Sequence, residues 1–227
     1  QPPKLVELPK ELNTIAAQEC DFELKIIIAG DINAGKSSLI VRFVDQKFQE
    51  DSYLVSATLN IDCKSQFIKL LVDQTEKKVK LNVWDTVGQE RYKALTQSYY
   101  RGANAVILAI DLTDPKAFQK IDGWMKEIQR QTTSVTSIVL IGTKADLVDT
   151  RAVSAEEMRD AAFNKGIEYI ETSSKTGDGV NNAFHIAAMN ALQLRLSRKD
   201  AANVEGRNNK TFPEQTKTNE HACCTIS

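Results

Sequence analysis

The chain has 227 residues, 42% of them hydrophobic and 26% charged, with a formal net charge of -1. That length supports one sizeable core with extensions, and the near-neutral balance excludes an electrostatic case for binding nucleic acid. No apolar run approaches the roughly 20 residues that span a bilayer, and the cysteines Cys20, Cys63, Cys223 and Cys224 ask for no oxidising compartment.

Residues 1–21 read as a short arm, partly extended around Pro2, Pro3 and Pro9, whose Leu5, Leu8 and Leu12 could pack on the body or on a partner. The arm has no secretory-signal pattern, and its start at Gln1 reads as a trimmed one. From Leu24 short apolar strands alternate with amphipathic helices. Strands are expected over residues 24–29, 63–71, 79–84, 105–111, 137–142 and 168–172. Helices should follow Gly35, Asp114, Ser154 and Asp178, with a shorter one between Glu90 and Gly102. Asp114 before Pro115 predicts an N-cap and a proline in the first helical position. Ser154 and Glu157 have capping-box spacing. Phe184, Ala187, Ala188, Ala191 and Leu192 fall on one helical face. The polar stretch 73–78 predicts the loop of an antiparallel hairpin, and the remaining alternation predicts a mostly parallel sheet. After Ser197 the chain turns polar and reads as a disordered tail.

The motifs sit where such a sheet binds ligands, at the carboxyl ends of strands. Gly30, Gly35, Lys36 and Ser37 fit the phosphate-binding loop. Its glycines let backbone N–H groups face phosphate oxygens, and the following helix adds its positive end. Lys36 can reach the outer phosphates, and the Ser37 hydroxyl can ligate Mg²⁺. Ile32 and Asn33 stand where the backbone approaches the reacting phosphate. Asp85, at a strand end, suits a direct or water-mediated Mg²⁺ role; Gly88 can offer its N–H to a terminal phosphate, and Gln89 can orient an attacking water. Asp146 can accept the paired N–H groups of guanine, which adenine lacks, while the Lys144 stem lies against the base. Ser173, Ser174 and Lys175 follow the last strand, where backbone could meet the guanine oxygen.

Over residues 22–196 the chain resembles a small GTPase of the Ras superfamily, Rab branch. The resemblance rests on these motifs and on Lys80-Leu81-Asn82-Val83-Trp84-Asp85-Thr86, Arg91-Tyr92-Lys93-Ala94-Leu95-Thr96, Tyr99-Tyr100-Arg101-Gly102-Ala103 and Leu108-Ala109-Ile110-Asp111-Leu112-Thr113. It implies an α/β fold: a single P-loop GTPase domain with a mostly parallel six-stranded sheet, one antiparallel edge hairpin and helices on both faces. Gly30, Ile32, Asn33, Ala34, Gly35, Lys36, Ser37 and Ser38 would wrap the phosphates of GTP or GDP. Ser37 and Thr58 would ligate Mg²⁺, with Asp85 behind through water. Phe48 would stack on guanine, unless it is an ordinary core or surface phenylalanine. Thr143, Lys144, Asp146 and Ser173 to Lys175 would hold the base. Thr58 and Gly88 would sense the γ-phosphate, and Gln89 would position the catalytic water.

The chain departs from the family's pattern at several points. Ile32 replaces a small residue and would crowd Gln89, unless it points to solvent. Asn33 tolerates left-handed backbone better than most residues. Thr143 replaces an asparagine, Val87 an alanine, and Cys63 a phenylalanine that packs with Trp84 and Tyr99. The segment between Phe48 and Thr58, and the hairpin, are longer than usual.

The tail over 197–227 ends in Cys223-Cys224-Thr225-Ile226-Ser227, which resembles the double-cysteine ending of Rab proteins and also loosely fits a C-a-a-X pattern. One prenyl chain anchors marginally and the tail has no polybasic patch, so geranylgeranylation of both cysteines is expected. The resemblance implies an exchange factor, a GTPase-activating protein, effectors on the switch segments, prenylation machinery and a GDP-dissociation inhibitor as partners. A monomer is expected, on the cytoplasmic face of an intracellular membrane with a cytosolic pool. Gln89 favours a GTP-hydrolysing switch of vesicle traffic; Ile32 favours a scaffold that binds GTP and hardly turns it over.

Overall fold

Strand β1 (Phe22–Gly30) occupies the middle of the sheet because its sequence is apolar on both faces: Leu24 and Ile26 through Ala29 are fully buried. Continuous burial of this kind is the mark of a parallel strand covered on both sides. The structure, a computed structural model, describes residues 19–48, 63–85, 99–132 and 136–208. Around β1 lie β2 (Cys63–Val72), β3 (Thr75–Asp85), β4 (Ala105–Asp111), β5 (Ser137–Thr143) and β6 (Glu168–Glu171), in the order β2-β3-β1-β4-β5-β6. Only β2 and β3 pair antiparallel; the other neighbours are parallel. The expected α/β architecture, edge hairpin included, is therefore present. The sheet grows from β1 first toward β3 and then toward β4, so the crevice of the topological switch opens at the carboxyl end of β1.

Among the described residues, four helices cover the two faces. Helices α1 (Lys36–Asp45) and α4 (Val180–Asn208) pack on one face, with Phe43, Phe184, Ala187 and Leu192 against Leu24, Ile26 and Ile28. Helices α2 (Ala117–Gln131) and α3 (Ala155–Asn164) pack on the other, with Ile121, Met125, Ile128 and Met158 against Ile27 and Leu108. The α4 stripe foreseen from its helical period is buried throughout. Ser154 caps α3 with a complete capping box: the Glu157 N–H donates to Ser154 Oγ at 3.1 Å, and the Ser154 N–H donates to Glu157 Oε2 at 2.9 Å.

Three boundaries differ from the sequence expectation. Asp114 does not cap α2, which begins at Ala117; its carboxylate accepts the Lys116 N–H at 2.9 Å and closes a turn ahead of the helix. The hairpin loop is only Asp73 and Gln74, both left-handed at φ 48° and 61°, because Thr75–Lys78 pair with Val72–Lys69. An edge hairpin with a solvent-facing side accepts polar strand residues, and its twist favours a two-residue turn of this hand. The tail expected from Ser197 begins as helix: α4 runs to Asn208, since Arg198, Lys199, Ala201 and Ala202 are residues of fair to high helix propensity with no proline among them. The short helix expected between Glu90 and Gly102 falls mostly outside the described residues, apart from helical Tyr99 and Tyr100.

Phe43 of α1 and Phe184 of α4 stack with ring centroids 3.9 Å apart, joining the helix behind the loop to the longest helix. Phe184→Ala should cost about 3–5 kcal/mol of unfolding free energy, read from denaturant titration. A loss well below 1 kcal/mol would contradict this account of the core.

Candidate functional site

The site begins where β1 ends. Gly30 has φ 137°, and a Cβ there would lie 2.2 Å from the Ala109 carbonyl oxygen of β4. No side chain fits that approach, so the backbone turns out of the sheet at Gly30. The turn continues through Asn33 (φ 64°) to Gly35 (φ 79°), which starts α1 in a left-handed conformation. Asn33 thus adopts a left-handed backbone that its short polar side chain tolerates. Ala34 is buried beneath the loop, Ser38 is half-buried, and Ile32 is 53% exposed, on the open side of the turn.

Lys36, 6% exposed, folds its ammonium back over the loop, donating to the carbonyls of Gly30 at 2.9 Å and Asp31 at 2.6 Å. Two carbonyl acceptors fix a cation at the mouth of a turn opening onto a helix N-terminus, an arrangement suited to an anion. Next to it, the Ser37 hydroxyl donates to Asp85 Oδ2 at 2.5 Å, which joins the head of α1 to the end of β3. A hydroxyl and a carboxylate are hard oxygen donors and fit Mg²⁺, which takes one or two protein ligands and completes its shell with water and phosphate oxygens.

A second cluster stands at the ends of β5 and β6. Thr143 is buried, and its hydroxyl donates to the Ile110 carbonyl at 3.1 Å. Lys144 is left-handed at φ 59°, and its ammonium reaches Asp111 Oδ2 at 2.5 Å, so its stem is held at both ends. Asp146 Oδ1 accepts the Ser173 hydroxyl at 2.6 Å, while Ser173 Oγ also accepts the Thr176 N–H at 3.1 Å. This orients a half-buried carboxylate at the strand ends. Arg42 of α1 binds the next turn, donating to the carbonyls of Ser174 and Lys175, each at 2.5 Å. The helix behind the phosphate-type loop thus holds the Ser173–Lys175 segment in place.

Phe48 is 36% exposed, shortly beyond α1. Thr58, Gly88, Gln89, Cys223 and Cys224 lie outside the described residues, as does Val87. Cys63 is exposed and pairs in register with Trp84.

Sequence reasoning passed over several supporting groups. Arg151 makes a two-pronged ion pair with Glu171, Nη1 to Oε2 at 2.9 Å and Nη2 to Oε1 at 2.6 Å, and Tyr169 donates its hydroxyl to Glu171 Oε1 at 3.0 Å. This braces the strand that delivers Thr172 and Ser173. Arg42, Asp111 and Asp31 were likewise missed. Each is an ordinary charged residue whose partner is distant in sequence, so spacing carries no signal.

The Ras family model matches residues 25–193. "Ras-related protein RIC1" of Oryza sativa subsp. japonica is 35% identical over 206 residues, covering 91% of this chain and 98% of the relative. "GTP-binding protein YPTM2" of Zea mays is 37% identical over 186 residues, 82% of this chain and 88% of the relative. "Ras-related protein Rab-1" of Theileria annulata is 42% identical over 168 residues, 74% of this chain and 73% of the relative.

The Arg151 guanidinium holds the Glu171 carboxyl below its ordinary value of 4.5, while burial pushes the Tyr169 hydroxyl up. A carboxyl lowered by folding adds stability above its unfolded pKa, and this is lost as the pH falls through the folded value. Arg151→Met should therefore be less stable than wild type at about pH 6, and the gap should narrow as the pH is lowered below 4.5, read from urea unfolding across that range. An equal gap across the range would remove Glu171 as the cause.

Proposed function

The chain belongs to the Ras family of small GTPases, within its Rab branch, and is a GTP hydrolase; on that premise we propose that it is a membrane-anchored switch of vesicle traffic whose turnover is slowed by Ile32. The observation that carries this reading is the convergence of Lys36, Ser37 and Asp85 with Asp146 and Ser173 at one end of one sheet. The first group suits a polyphosphate and the second suits a base.

In this reading Lys36, held by two carbonyls, meets the outer phosphates with no reorganisation of the loop. Ser37 and Thr58 would hold Mg²⁺, with Asp85 behind through water, and the ion when bound would offset negative charge on the phosphates. Asp146 accepts the paired N–H groups of guanine; adenine would leave its carboxylate unmatched, a strong ground for rejection. Lys144 lays its stem along the base, Phe48 stacks from the open side, and Thr143 supports the segment from below. Gln89 orients the attacking water, and Thr58 and Gly88 respond to the γ-phosphate. Hydrolysis would release the two switch segments and end effector binding.

Ile32 is the departure with the clearest consequence. Ile32 is exposed on the open side of the loop, so its side chain puts no strain on the core, and in this reading it crowds only groups that approach from that side, Gln89 and any group an activating protein supplies. Displacing a water-positioning group by about 1 Å can cost on the order of 10²-fold in rate. Single-turnover GTP hydrolysis should therefore be faster in Ile32→Gly than in wild type, both alone and with an activating protein. Equal rates would refute the steric account.

The paired Cys223 and Cys224 supply the anchor in this reading. Among the described residues no helix is long and apolar enough to cross a membrane. One prenyl chain gives only marginal, reversible attachment, so two are required without a basic patch. Intact mass of the protein isolated from cells should carry the increment of two geranylgeranyl groups; an unmodified mass overturns the anchoring.

A further inference from the structure

Asp31 holds the phosphate-type loop by two routes at once. Its backbone carbonyl accepts the Lys36 ammonium at 2.6 Å, and its carboxylate leaves the loop for α2. Oδ1 accepts the Trp124 indole N–H at 2.8 Å, and Oδ2 pairs with Lys120. Lys120 also reaches Asp114 Oδ2 at 3.3 Å, on the turn ahead of α2. Lys120 and Trp124 are four residues apart and therefore neighbours on one helix face. Both carboxylate oxygens of Asp31 are thus occupied by donors from one helix, while its carbonyl positions the cation of the loop.

We infer that Asp31 is a positioning residue that acts through Lys36, and that α2, by gripping Asp31 with Trp124 and Lys120, helps set how long the nucleotide stays bound. The inference rests on the reading of the loop as a phosphate cradle. Holding the Asp31 carboxylate fixes where its Cα sits, so the planar peptide unit that carries the carbonyl starts from an anchored point and reaches Lys36 over a narrow range of ψ. If the clamp opens, the Asp31 carbonyl is released from its orientation, Lys36 loses a fixed acceptor, and its ammonium spends less time facing the phosphates. Any partner that pulls α2 from the loop would then hasten nucleotide release without touching either switch segment.

The test is the release rate of a fluorescent GDP analogue from the full-length chain with Mg²⁺. Lys120 is 44% exposed in its side chain, so Lys120→Met leaves the core intact. Release should be about tenfold faster in Trp124→Phe and several-fold faster in Lys120→Met, as expected when a hydrogen bond to a charged group is removed. Lys120→Arg keeps the charge and should stay near wild type, which a merely structural role for the side chain would not require. Trp124→Phe and Lys120→Met combined should fall short of the product of their separate effects, because both act through Asp31. Wild-type release in both single variants overturns the clamp, as does equally fast release in Lys120→Arg and Lys120→Met. Lys36→Met reads the cradle separately: retention of the analogue at the wild-type rate there would overturn the cradle and the clamp together.

Discussion

The close approach of two backbones at Gly30 governs the rest of the molecule. β1 and β4 run side by side, and at the end of β1 the Ala109 carbonyl occupies the space that any Cβ would fill. The chain can neither continue as strand nor carry a side chain there, so it turns outward in a left-handed sequence that ends at Gly35. α1 must then start directly beneath the loop, and its first turn carries Lys36 and Ser37 to the strand ends. A burial constraint in the sheet becomes the geometry of the loop that presents Lys36 and Ser37.

Among the described residues, the charged groups of the site are held by partners within the protein. Lys36 rests on two carbonyls, Lys144 on Asp111, Asp146 on Ser173, and Arg42 on the backbone of Ser174 and Lys175. Groups fixed in this way lose little freedom on binding, and electrostatic stabilisation needs little rearrangement. The supports also tie the two clusters together: Arg42 leaves the helix of the phosphate-type loop and holds the turn beside Asp146 and Ser173. Deforming one cluster is therefore felt by the other, and the Asp31 link extends the same logic to α2.

Much of this was legible in the chain itself. The strands over 105–111 and 137–142, the capping box at Ser154 and the buried face of α4 depend on local pattern, and local pattern survives folding where burial agrees with it. Asp114 was misread because a carboxylate before proline can cap a helix or close a turn, and only the placement of α2 against β4 selects between them. The hairpin turn was read too long because polarity at a sheet edge marks solvent and does not by itself mark a loop. The tail was read as starting too early because low hydrophobicity argues against burial but not against a helix that continues from a packed one.

The sequence alone determined the alternation of strand and helix, the phosphate-type loop at Gly30 to Ser38, and the carboxylate at Asp146, since each is carried by residue type and spacing along one short stretch. Tertiary structure decided what braces them: Asp31 on Trp124 and Lys120, Arg42 on Ser174, and Arg151 on Glu171 join residues between 20 and 132 positions apart. Such contacts involve side chains with many possible partners, and only the packing of helices onto the sheet removes all but one.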